Sequence, residues 1–246
     1  MRIRVGHLYP DYLNIYADRG NIAVIAERAR LRGHELDVRA IGMGDPVPTT
    51  GEIDLFYVGG GQDREQALVA RDLTEKTGPL RDAAEAGAVF LAVCGGYQLL
   101  GRFYRDVAGD ELPGIGLLPL HTIAGQRRMI GDVLLDCAWA GQTLAGFENH
   151  AGRTILDDGA EPLGRVVYGF GNDGASGAEG CRWQRVYGTY LHGPLLPRNP
   201  WFADHLLGEA LAHAGGPTEL APLPDELEAE AHRVSAQRAR ARGGKF

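Results

Sequence analysis

A chain of 246 residues with 44% hydrophobic content is long enough to bury a sizeable core, and α/β folds of this length commonly form one domain. The formal charge of −7 leaves no cation excess for a broad phosphate-neutralising face, which makes nucleic acid a poor first guess. The N-terminus MRIRVGHLYPDY lacks an apolar h-region, and no run approaches the roughly 18 apolar residues that cross a bilayer, so the sequence predicts a cytoplasmic protein without a membrane span.

Residues 2–8, RIRVGHL, read as a first strand; Ile22, Ile25, Ala26 and Ala29 then recur at helical spacing up to Gly33. HELDVRAI (34–41) and IDLFYVGGG (53–61) read as further strands, and residues 65–87 as helical with an interruption around Gly78-Pro79. AVFLAV (88–93) is a continuous apolar run, which fits a buried strand. Strands alternating with helices through residue 106 imply right-handed crossovers and a parallel sheet covered on both faces. Beyond 106 the runs IGLLPLHTI, RMIGDVLLDC, TLAGFENH, RVVYGFGN and WQRVYGTYLHG are short and broken by Gly or polar residues, which predicts an antiparallel extension of the sheet. A helix at 200–214 follows with Asn199 as its candidate cap, then a Gly/Pro-rich linker and a tail helix with acids first and arginines last, the order a helix dipole favours. The expected division is a main domain over 1–214 and a linker with helical tail over 215–246.

Glycine supplies 36 residues, about twice its usual share, and it gathers at the ends of apolar runs, where tight strand-to-helix turns are expected. Cys94 stands at one such junction, between AVFLAV and Gly95-Gly96. A sharp turn there holds the side chain out from the sheet while the following N–H groups face the same space, so a thiolate gains from the helix N-terminus and the Gly95 N–H faces a developing oxyanion. A buried structural cysteine is the plainer reading; the elbow and the double glycine favour a nucleophile. Cys137 and Cys181 lack such surroundings and are expected to pack as small hydrophobes. Three widely spaced cysteines suggest neither a disulfide framework nor a metal site.

VGGGQD (58–63) ends a strand in three glycines, either a flexible turn or a row of N–H groups at the same sheet edge as Cys94. GxxxxGK[ST] is absent, which argues against a phosphate loop. A base is needed too, and His121, His150 and His192 are the candidates, His192 ending the β-like run YGTYLH before Gly193-Pro194.

AVCGGYQLLG together with GTYLHGPLL resembles the class I glutamine amidotransferases, flavodoxin-like in fold, in their cobyric acid synthase-like branch. GHLYPDYLNIYADRGN (6–21), VGGGQD and GFENHAGRT (146–154) look more specifically like the glutaminase subunits of lipid II isoglutaminyl synthases. The resemblance implies that Cys94 attacks the side-chain amide of L-glutamine, that His192 moves the proton, and that Gly60 joins Gly95 in the oxyanion hole. It implies a glutamine-binding arginine in AGQRRMIGD, placed at Arg128 with Arg127 as the alternative. It also implies that ammonia passes to a Mur-ligase-like partner in a heterodimer, which activates the D-glutamate of lipid II with ATP and Mg at the inner membrane face. This chain is then expected to need no metal or cofactor of its own.

One departure stands out: where many class I enzymes carry an acid two residues after the histidine, this chain has Pro194. Either a dyad suffices, or a partner supplies the acid, or Asn149 or the Asp and Asn of DRGN substitute from within. The competing readings are a glutaminase acting on a cobyrinate-type corrinoid, a non-catalytic docking module, and a peptidase-like cysteine protein of the same fold.

Overall fold

The computed structural model describes residues 1–15 and 19–242, apart from the side chain of Asp63. Tyr16, Ala17 and Asp18 of the 6–21 motif lie outside the described residues, as do 243–246 of the tail.

The first half is a run of strand-helix units: β1 (Arg2–Leu8), α1 (Arg19–Leu31), β2 (Glu35–Ile41), β3 (Leu55–Val58), α2 (Asp63–Glu75), α3 (Thr77–Glu85), β4 (Val89–Val93) and the short elbow helix α4 (Gly95–Leu100). The expected interruption falls at Lys76, where α2 stops and α3 begins. β3 and β4 are buried along their whole lengths, because helices cover both faces of a parallel sheet. Phe56 and Phe90 stack across them at 4.6 Å.

Later strands are β5 (Phe103–Arg105), β6 (Glu111–Pro113), β7 (Leu120–Cys137), β8 (Gln142–Leu156), β9 (Gly164–Tyr168), β10 (Ala178–Glu179), β11 (Cys181–Trp183) and β12 (Val186–Thr189). The chain closes with α5 (Pro200–His213) and α6 (Glu226–Arg242). The first sheet has the order β11-β12-β4-β3-β1-β2; it is parallel except for the edge strand β11, which runs antiparallel to β12.

The antiparallel extension therefore comes in two parts. β11 extends the first sheet, and β5 to β10 build a second one around β7. β7 pairs with β8 along one edge and with β5 and β9 at opposite ends of the other. The pairing of β7 with β8 slips between Ala124 and Met129, where four residues of β7 stand opposite the single Ala151 of β8. Such a bulge re-aims the side chains it carries, and Arg128 is one of them.

Two features bind the C-terminal segment to this frame. Arg28, 4% exposed, donates to both carboxylate oxygens of Asp204 on α5 and of Asp225 before α6, at 2.6 to 2.9 Å. Helix α6 lies on β7 and β8, with Ala236 and Ala239 packed against Leu134 and Ala145. Its His232 bonds Thr143 Oγ1 at 2.9 Å and faces Arg198 O and Asn199 Oδ1 at 3.0 and 3.1 Å. Asn199 itself holds both backbone groups of Ala145 and the carbonyl of Leu195. Among the described residues, no helix is long and apolar enough to cross a membrane.

Candidate active site

Cys94 occupies the turn from β4 into α4 with φ 52° and ψ −108°, a backbone conformation that L side chains rarely adopt. Holding a residue there costs on the order of 1–3 kcal/mol, and such strain persists only where the surroundings enforce it. Here the Cys94 N–H donates to Thr189 O (2.8 Å), Gln98 N–H to Cys94 O (3.1 Å), and Gly96 N–H to Gly59 O (3.1 Å). The sequence expectation of a sharp strand-to-helix turn at this residue is met. Cys137 and Cys181 are fully buried, and burial pushes both thiols up to about 12, so both stay protonated.

The two glycine turns pack against each other. A β-carbon on Gly96 would sit 2.7 Å from Val58 O and 2.8 Å from Gly59 O; one on Gly95 would sit 2.9 Å from the Gly61 nitrogen and from Gln66 Nε2. The space between the turns therefore accepts only glycine. The turn is braced from outside by the segment after β1, where Ile15 N–H donates to Gly60 O at 3.1 Å. From within, Gln66 Nε2 donates to Gly61 O at 3.2 Å, leaving its buried Oε1 without a hydrogen-bond partner among the described residues.

A cavity of about 580 Å³ opens over Cys94, lined among others by Gly61, Gln66, Gln98, Tyr104, Arg128, Asn149 and His150. Arg128 reaches it from the bulge of β7: Nε donates to Asn149 Oδ1 and Nη2 to Asn149 O, both at 2.9 Å. Arg127 is not among the lining residues; its carbonyl is taken by Arg153 Nη2 at 2.9 Å.

His192 follows β12, the strand beside β4; neither it nor Gly60 nor Gly95 is among the residues lining the cavity. It is 1% exposed, its N–H donates to Phe147 O at 3.0 Å, and its ring meets Phe147 edge-on at 6.0 Å. Burial first, then the charges of His150 and Arg128, pull its pKa down to about 4, so it is neutral at pH 7 and equipped to accept a proton. Of the other base candidates, His150 lines the cavity, whereas His121 is turned to Asp157 (3.2 Å) and stacked on Phe103.

The GFENH segment serves the frame and the substrate side. Glu148, fully buried, accepts from Phe170 N (2.6 Å) and Gly171 N (2.9 Å), and Asn149 orients Arg128. Asn21 of DRGN bonds Tyr57 OH at 3.1 Å and Leu196 N at 2.9 Å; Asp18 lies outside the described residues. Gln66, Gln98, Tyr104 and Asn149 were missed as lining residues by sequence reasoning. Gln98 alone carried a usable signal, standing four positions after Cys94 on one face of the elbow helix.

A model of the CobB/CobQ-like glutamine amidotransferase domain matches residues 4–200. The chain is 40% identical over 96% of its length, and 96% of the relative, to the subunit GatD of lipid II isoglutaminyl synthase (glutamine-hydrolyzing) from Staphylococcus aureus strain N315. Identity to the protein of the same name from Streptococcus pneumoniae R6 is 36%, over 92% of this chain and 87% of that one. A cobyric acid synthase from Pelotomaculum thermopropionicum is 37% identical over 70% of the chain but only 34% of its own length. Among solved structures, a glutamine amidotransferase from Thermotoga maritima shares the fold at a TM-score of 0.53 and 15% identity, covering 97% of this chain and 95% of that one.

Proposed function

The chain belongs to the family of CobB/CobQ-like glutamine amidotransferases, and we propose that it is the glutaminase subunit of a lipid II isoglutaminyl synthase, releasing ammonia from L-glutamine for a partner subunit. The observation that carries this is the strained Cys94 elbow, packed against a second glycine turn beneath a cavity that also receives Arg128.

In the proposed reaction, Arg128, held flat by Asn149, takes the α-carboxylate of glutamine and directs the side-chain amide toward Cys94. His192 accepts the thiol proton as Cys94 Sγ bonds to the amide carbon, and the carbonyl oxygen becomes an oxyanion facing the N–H groups of Gly95 and Gly60. His192 then gives its proton to the leaving nitrogen, which departs as ammonia and leaves a thioester. Water attacks the thioester, His192 takes one of its protons and returns it to the departing sulfur, and glutamate leaves.

The partner in this proposal is Mur-ligase-like and uses ATP and Mg to activate the D-glutamate carboxylate of lipid II, so that ammonia yields D-isoglutamine in peptidoglycan synthesis at the inner face of the membrane. Support comes from near end-to-end likeness to the two isoglutaminyl synthase subunits, against likeness to a third of a cobyric acid synthase. The test is glutamate release by the purified chain, alone and with a co-purified Mur-ligase-like partner. Cys94-dependent release that feeds amidation of lipid II supports the proposal; its absence under both conditions sinks it.

A further inference from the structure

Two polar side chains of the cavity lining, Gln98 on the elbow helix and His150 on β8, both rest on one buried tyrosine. Tyr190 is fully buried, and it lies one residue beyond β12 and two before His192. Gln98 Nε2 donates to the Tyr190 hydroxyl at 3.0 Å, and the hydroxyl bonds Thr154 Oγ1 on β8 at 2.6 Å. Thr154 continues the chain to Thr122 Oγ1 on β7 at 2.7 Å. The His150 imidazole lies flat on the Tyr190 ring, with centroids 3.5 Å apart and planes 1° from parallel. From the opposite side Tyr97 of the elbow helix meets the ring edge-on at 5.1 Å.

The main chain of Tyr190 is fixed as firmly. Its N–H donates to the buried carboxylate of Glu179 at 2.6 Å, and the same carboxylate takes the Thr189 hydroxyl at 3.1 Å. A β-carbon on Gly152 would sit 2.4 Å from Gln98 Nε2 and 2.9 Å from the Tyr190 hydroxyl, so any larger residue there must displace these groups. A hydroxyl with donors and acceptors on three elements, in a dry interior, has little freedom to move without moving all of them.

We infer that Tyr190 is a positioning residue, which sets His192 relative to Cys94 through its hydroxyl and registers what occupies the cavity through Gln98 and His150. Beyond this cluster, the β8 wall and the segment that carries His192 also meet where Phe147 packs edge-on against the His192 ring. A substrate touching Gln98 or His150 pushes on Tyr190 directly, and Tyr190 passes the displacement to His192 two residues on. This rests on the glutaminase reading for its kinetic consequence but not for its geometry.

Tyr190→Phe keeps the ring and its stack on His150 and removes only the hydroxyl; Thr154→Val breaks the same hydrogen bond from the other side. In both, the kcat for glutamine hydrolysis is expected to fall about tenfold or more, the scale for a small misplacement of a catalytic group, with KM held within about threefold. Because loosening admits water to His192, its imidazole titration, followed by NMR in histidine-labelled protein, moves up toward the ordinary 6.5 together with the acid limb of kcat/KM. Folded variants with unchanged kcat and unchanged His192 titration overturn the inference, as does a lowered Tm with both left in place. If Tyr190→Phe does not fold, Thr154→Val decides by the same readings. Wild-type protein without Cys94-dependent hydrolysis would instead remove the glutaminase reading, and the His192 titration would still decide the role of Tyr190.

Discussion

The backbone N–H of Cys94 donates to the carbonyl of Thr189 at 2.8 Å, so the strand that leads into Cys94 is tied to the strand that leads to His192. Val93 and Thr189 pair as the last rung of two neighbouring parallel strands, so Cys94 and His192 follow the same end of the sheet, one and three residues beyond that rung. Cys94→Ser preserves every one of these backbone bonds. It is expected to fold like the parent, with glutamine hydrolysis reduced by about 10³ or more. Substantial residual hydrolysis, measured as glutamate release, would remove Cys94 from its proposed role.

His192→Ala is expected to slow thioester formation by about 10² or more in a rapid-quench assay. The pH profile carries a second prediction, because burial holds His192 near 4 and, with Arg19 adding to burial, holds His7 near 4 as well. Both titrate near 6.5 once unfolded. Between those values the unfolded chain binds protons that the folded chain refuses, so stability is full above pH 6.5 and declines as pH falls toward 4. Each group contributes at most on the order of 3 kcal/mol. Urea midpoints at pH 7.5 and 4.5 measure the decline, and His7→Gln should flatten part of it; equal midpoints in the parent would contradict the account.

Arg128→Lys removes a planar fork that lysine cannot reproduce, and is expected to raise the KM for glutamine about tenfold or more while leaving Tm near that of the parent. Asn149→Ala should raise KM in the same direction, since Asn149 is what orients the guanidinium. Arg127→Lys should change neither. A KM that responds to Arg127 and not to Arg128 would transfer the role by one residue.

The α/β half was legible because its signals are local. Each strand is one apolar run, each crossover one helical pattern, and the Cys94 elbow a single peptide with glycines on its C-terminal side. The second sheet was legible only in pieces. β7 spans 18 residues and β8 spans 15, but Gly125, Gly131, Gly146 and Gly152 cut each into what look like separate short runs. Arg128 and Asn149 are 21 residues apart, and they meet only because a bulge shifts the register between them. Glu148 and Glu179 read as surface acids by type, yet both are buried, their carboxyl oxygens met by backbone N–H groups that no residue pattern announces. Burial pushes Glu179 up to about 8 in spite of those bonds.

Asn199→Ala tests how firmly the histidine segment is moored. The side chain holds Ala145 at both backbone groups and Leu195 at its carbonyl, all within a buried region, and its loss is expected to cost about 2–4 kcal/mol. Chemical denaturation measures that cost. A loss below about 0.5 kcal/mol would show that water replaces these bonds at little penalty.

Pro194 stands where an orienting acid is found in many relatives of this class, and an imidazole without one spends less time in the productive tautomer. The isolated chain is therefore expected to be a weak glutaminase whose activity rises when a Mur-ligase-like partner inserts an aspartate or glutamate beside His192. Glutamate release is measured with and without the partner, then with interface acids of the partner changed to alanine. Full activity in the isolated chain, indifferent to the partner, would show that Cys94 and His192 need no outside help.

The contacts of His232 with Thr143, Arg198 and Asn199 impose an order on assembly. Arg198 also holds the carbonyl of Gly193, directly after His192, through Nη2 at 2.7 Å. A ribosome delivers the elbow first, the histidine segment later, and the helix that latches that segment to the second sheet later still. A nascent chain halted before residue 226 holds Cys94 and His192 and lacks the latch. On the proposed function, competence to consume glutamine is completed only once α6 has emerged, and a chain cut short before it keeps His192 without that latch.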